Sequence, residues 1–133
     1  MDRTFLLIGA LAAFLGVAFG AFGAHALRAR LSPENLAVFE TAVRYQMFHG
    51  LALLVVGLMR VPRGWNSANV AGLLFAVGAL LFSGGIYLWI FTGQKPFVHV
   101  VPIGGILWLC GWLCLAWAGC ACLKCKDALG EPK

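Results

Sequence analysis

The sequence predicts an all-α fold: four transmembrane helices, each antiparallel to its chain neighbours, with short connections. Three observations lead there. The 133 residues are 62% hydrophobic and 11% charged, whereas soluble domains carry about 25% charged residues. Mean hydropathy is +0.90, so too little polar surface exists to cover a water-soluble globule and lipid must be the solvent for much of the chain. Finally, four apolar runs stand out, roughly 4–27, 36–59, 68–91 and 100–123, each near the ~20 residues that cross a hydrocarbon core of about 30 Å. The stretches between them are short enough to make successive helices adjacent. The organisation expected is a single integral membrane domain over 1–133, with a short tail at 124–133 and no separate soluble enzyme domain.

The first run carries Gly9, Ala13, Gly16, Gly20 and Gly23, a heptad row of small residues that includes a GxxxG spacing. Helices associate in lipid by close van der Waals contact, which small residues permit. Arg3, this run and then Ala24-His25-Ala26 imitate a signal peptide, but the apolar stretch is longer than the usual 7 to 15 residues or so. Ser32-Pro33 supplies an N-cap followed by proline at the first helical position, so helix two should begin near Pro33. Pro62 and Gly64 mark the second connection, and Gly93, Lys95 and Pro96 the third, which spans Thr92 to His99. A second small row, Gly72, Ala76, Ala79 and Ser83, lies on helix three. Both rows suit packing within the bundle. Both are also self-complementary, so homo-oligomerisation is the sharper reading.

Basic residues set the orientation. Arg3, Arg60, Arg63, Lys124, Lys126 and Lys133 share one side, against Arg28, Arg30 and Lys95 on the other. The positive-inside rule then favours both termini in the cytoplasm. The net charge of +5 is spread singly or in pairs between apolar runs, which speaks against nucleic-acid binding.

Helix two carries the polar cluster Glu40, Arg44, Tyr45, Gln46 and His49. Ionisable groups at membrane depth are costly and usually face a bundle interior or a partner. Glu40 and Arg44 are four apart, the favourable order for an ion pair along one face. Thr41, Tyr45 and His49 form a second row about 100° around. Topology brings His25, Ser83, Tyr87 and His99 to the same non-cytoplasmic half, which defines an expected polar pocket of His25, Glu40, Arg44, Tyr45, Gln46, His49, Ser83 and Tyr87. Three readings compete for it: hydrogen-bonded glue between helices, a lipid-headgroup or anion site helped by the N-termini of helices two and four, and a proton or ion path. The last lacks ionisable residues in the cytoplasmic half. No metal motif or activated nucleophile is recognisable, so neither an enzyme nor a cofactor is expected.

Five cysteines gather near the end: Cys110, Cys114, Cys120, Cys122 and Cys125. Cys110 and Cys114 fit as small hydrophobes within helix four. Cys120, Cys122 and Cys125 are weak metal candidates, because only one C-x-x-C exists and no second knuckle pairs with it. Acylation beside Lys124 and Lys126 is another reading. Inert reduced thiols are the leading reading.

Several stretches resemble the small membrane proteins grouped as domain of unknown function 423, which include bacterial inner-membrane proteins and the mitochondrial transmembrane protein 256 group, so the resemblance implies a bacterial inner membrane as the location. These are Gly20-Ala21-Phe22-Gly23-Ala24-His25, Thr41 to His49, Leu81-Phe82-Ser83-Gly84-Gly85-Ile86-Tyr87, Val101-Pro102-Ile103-Gly104-Gly105 and Gly111-Trp112. The resemblance implies a four-helix integral membrane protein without signal cleavage, and it implies no activity. Gly85 stands where many members have Ser, and Val101 where Thr is common. The function expected is that of a non-enzymatic membrane protein, structural or accessory in a membrane assembly. Its partners would be lipid and another copy or another membrane protein. The alternative is a lipid-headgroup or small-solute binding or transport protein that uses the polar pocket.

Overall fold

The computed structural model describes residues 3–59 and 66–128, with backbone alone for 121–128. Four helices make up the bundle: α1 (Arg3–Leu27), α2 (Pro33–Leu58), α3 (Ser67–Thr92) and α4 (Pro96–Ala128). All four are long and apolar enough to cross a membrane, α4 through Pro96–Cys120. No strand occurs among the described residues.

Local chemistry explains the helix ends. Ser32 is extended and its Oγ accepts from Asn35 N at 3.3 Å, with Pro33 opening α2. Asn66 caps α3 in the same way, accepting from Asn69 N at 2.9 Å. Of the connection before it, residues 60–65, including Pro62 and Gly64, lie outside the described residues. Gly93 closes α3 with φ 71°, a left-handed conformation that glycine adopts without steric cost. The third connection is shorter than expected. Helix α4 starts at Pro96, a turn before the apolar run at Val100, because proline is pre-organised for the first helical position and loses no bond there. At the other end α4 continues to Ala128, so the start of the expected tail is helical; 129–133 lie outside the described residues.

Two wide turns interrupt the α geometry: Gly23–Leu27 in α1 and Leu80–Gly84 in α3 are π-helical. The first closes with Arg28 N donating to Gly23 O at 3.1 Å. Such turns add a residue to the ladder and re-aim the side chains beyond them. Apolar periodicity does not reveal them.

α2 is the central element, packed against both α1 and α3, and α4 lies against α3. Glycine lets backbones meet at two crossings. A Cβ on Gly9 would sit 2.7 Å from Gly50 O and 2.9 Å from Leu54 N. One on Gly104 would sit 2.6 Å from Phe82 N and 2.9 Å from Gly78 O. The small row on α1 therefore faces α2, with Gly16 beneath Met47, Gly23 beneath Phe39 and Gly20 more loosely beside Val43. On α3, Gly72 receives the ring of Phe5. The α3–α4 crossing through Gly78, Gly85, Gly104 and Gly111 was not anticipated. Its sequence signal is a glycine pair seven residues apart on each helix.

Two apolar clusters fill the interior. Leu53, Val56, Ala71, Phe75 and Trp108 form one, and Leu27, Phe39, Ala42, Ile86 and Tyr87 the other. Large apolar side chains such as Phe14, Leu80, Leu109, Leu113 and Trp117 point outward, which is the surface a lipid solvent allows.

Candidate functional site

The expected polar pocket divides into an inner set and an outer set. Gln46, His49 and Ser83 are buried, and each is bonded across the bundle. Gln46 Nε2 donates to Ala12 O of α1 at 2.8 Å, and Ser83 Oγ on α3 donates to Ala42 O of α2 at 2.9 Å. Trp112 Nε1 on α4 donates to His49 Nε2 at 3.1 Å. The indole nitrogen is a donor only, so Nε2 accepts and the ring proton belongs on Nδ1, which faces Tyr45 O at 2.8 Å. The arrangement thus assigns His49 a neutral tautomer with both nitrogens satisfied.

His49 also stacks on Trp108, with ring centroids 3.8 Å apart and planes 3° from parallel. The Tyr45 ring also lies nearly parallel to the Trp108 indole, with centroids 5.7 Å apart, and stays 42% exposed. Trp108 anchors itself by donating from Nε1 to Phe75 O at 3.2 Å. Trp108 and Trp112, four apart on α4, were absent from the expected site. Their signal was available, since a buried indole N–H normally has an acceptor.

The outer set comprises His25, Glu40 and Arg44, all exposed. Glu40 and Arg44 do not form the expected ion pair: among the described residues neither has a hydrogen bond or ion pair. Instead both line a surface pocket of about 320 Å³ with Gly20, Gly23, Phe39 and Val43, on the outer face of α1 and α2. Helical geometry explains the split, because Glu40 and Arg44 share one row while Tyr45 and His49 project about 100° or more away. His99 is also exposed. Cys110 and Cys120 are exposed and Cys114 is half-buried, all as free thiols. The side chains of Cys122 and Cys125 lie outside the described residues.

A third feature is a cleft of about 440 Å³ between α1 and α3, floored by Gln46 and Leu53 of α2 and bounded at one end by Phe19 and Tyr87. The Tyr87 ring packs against Phe19 and Phe39, at 4.7 and 5.2 Å. Its hydroxyl is buried without a hydrogen-bond partner.

The sequence matches a family model described as "Protein of unknown function (DUF423)" over residues 19–105. The chain belongs to this family. UPF0382 membrane proteins of Staphylococcus aureus (strain bovine RF122 / ET3-1), Staphylococcus haemolyticus and Staphylococcus saprophyticus are 44%, 42% and 43% identical to it over 115 residues. Those alignments cover 85% of this chain and 92%, 92% and 93% of the relatives. No solved structure matches. The DUF423 region contains the inner polar set, the outer charged pocket and both π-turns, and it stops short of Trp108 and Trp112.

Proposed function

We propose that this DUF423 protein is a non-enzymatic scaffold of the bacterial cytoplasmic membrane, an accessory part of a membrane assembly that self-associates through the outer face of α1 and α2. One observation carries the reading: Glu40 and Arg44 project outward, unpaired within the bundle, beside glycines. Arg44 lies roughly 16 Å along α2 from its start, a depth at which an unsatisfied charge is expensive. A two-fold axis would set Glu40 of one copy against Arg44 of the next and the reverse, which is the self-complementarity an isologous contact requires. Gly20, half-buried and only loosely packed beside Val43, would let the second surface approach closely. The non-enzymatic part is supported by the inner polar groups, whose hydrogen-bonding capacity goes to holding helices together. The bias of basic residues toward the N-terminus, second connection and C-terminal tail supports cytoplasmic termini.

A second reading rests on the same pocket. It presents one carboxylate and one guanidinium, a pattern that suits a zwitterionic lipid headgroup with its phosphate on Arg44 and its amine on Glu40. Native mass spectrometry from nanodiscs separates the two. Self-association gives multiples that Arg44→Glu disperses and that Glu40→Arg with Arg44→Glu restores. A lipid adduct on the monomer, lost in Arg44→Ala, supports headgroup binding instead. A wild-type monomer without adduct contradicts both.

A further inference from the structure

We infer that, in a protomer not joined to a second copy, the Glu40–Arg44 pocket takes an ethanolamine phospholipid headgroup, and that this lipid competes with self-association. The inference rests on the self-association reading and adds its regulation, because the same two charges cannot serve a lipid and a neighbouring chain at once. In the single protomer Glu40 and Arg44 are exposed, and neither has a hydrogen bond or ion pair among the described residues. Unpaired charges at membrane depth are expensive, so an occupant with one charge of each sign removes two costs together. The pocket volume of about 320 Å³ lies at the small end of ligand pockets, roughly 300–1,000 Å³, which suits a headgroup better than a helix.

The order of the charges selects the headgroup. Glu40 is nearer the N-terminal end of α2, and Arg44 lies about 6 Å deeper along the helix. In a glycerophospholipid the phosphate adjoins the acyl chains and the amine lies beyond it, toward water. Phosphate on Arg44 and amine on Glu40 therefore follow the same order. Helical side chains lean toward the helix N-terminus, which raises both charged heads toward the surface where headgroups lie. A headgroup with a phosphate and no amine would leave the Glu40 carboxylate unpaired beside a second anion. A choline headgroup offers that carboxylate no N–H donor, and quaternary ammonium groups are recognised by open aromatic faces. Phe39 supplies the ring in the pocket lining and is 0% exposed, so it presents no such face. A primary ammonium, which donates charge-assisted hydrogen bonds to a carboxylate, meets both conditions.

The test is native mass spectrometry of protein released from nanodiscs of dioleoyl phosphatidylcholine, alone or in equal mixture with dioleoyl phosphatidylethanolamine. Lipid adducts on the monomer and the dimer fraction are read together. From the mixture, the wild-type monomer should retain the ethanolamine lipid about three- to ten-fold over the choline lipid, and the dimer fraction should fall relative to phosphatidylcholine alone. Glu40→Gln should retain the two lipids equally, and Arg44→Ala should lose both adducts. Glu40→Arg with Arg44→Glu restores the contact between copies but reverses the order of the charges, so its dimers should not respond to the ethanolamine lipid. Equal retention by the wild type, or a preference that survives in Glu40→Gln, would overturn the headgroup assignment. An unchanged dimer fraction despite ethanolamine adducts, or an equal fall in the charge-exchanged variant, would overturn the competition. Absence of dimers in both membranes would defeat the self-association reading and the competition with it, whereas the adduct ratio on the monomer would still decide the headgroup.

Discussion

Trp112 donates to His49 through a 3.1 Å indole–imidazole hydrogen bond that ties α4 to α2. The bond decides what His49 is for. With Nε2 accepting from Trp112 and Nδ1 facing Tyr45 O, the imidazole has no free position for a proton or an anion. Its face is covered by Trp108. His49, one of the residues of the expected polar pocket, is a junction between helices.

Trp112→Phe should therefore destabilise the bundle by about 1–2 kcal/mol, since it leaves a buried imidazole nitrogen unsatisfied. Ser83→Ala should cost less, about 0.6 kcal/mol, the average for interhelical hydrogen bonds measured in a membrane protein. Unfolding in mixed detergent with increasing denaturing detergent checks both. A Trp112→Phe variant as stable as wild type would show that the bond is dispensable.

The α1 glycines should not be equivalent. Gly9→Ala drives a methyl into backbone atoms of α2 at 2.7 and 2.9 Å and should cost about 1–3 kcal/mol by overpacking. Gly20→Ala meets only Val43 Cγ1, at 3.6 Å, and should stay within about 0.5 kcal/mol of wild type. The same unfolding assay ranks them, and equal effects would refute the crossing geometry.

Local properties made part of this molecule legible in the sequence. Spans, the Ser32-Pro33 start of α2 and the small row on α1 come from hydropathy, capping chemistry and residue size. The direction each polar residue faces does not. The helical wheel separates Arg44 from His49, but only tertiary packing decides that His49 points toward α4 and Arg44 away from the bundle. The four-residue spacing of Glu40 and Arg44 permitted an ion pair that the structure does not make. Both π-turns shift side chains without changing composition, so the placement of Tyr87 beside the cleft was not legible.

Arg44→Ala should leave the thermal stability of the isolated monomer within about 0.5 kcal/mol of wild type, because no intramolecular pair is lost. A drop of about 2 kcal/mol would mean that Arg44 supports the fold itself, contrary to its outward, unpaired position.

The central claim is that copies of the chain meet through the outer face of α2, and photocrosslinking in native membranes tests it most directly. A photoreactive residue at Leu51, exposed and seven residues beyond Arg44 on the same face, is compared with one at Leu113 on α4. Covalent dimers from position 51 and not from 113, lost on Arg44→Glu and recovered with Glu40→Arg added, are the predicted result. Dimers from 113 alone, or none from 51 while the protein stays folded, would contradict it.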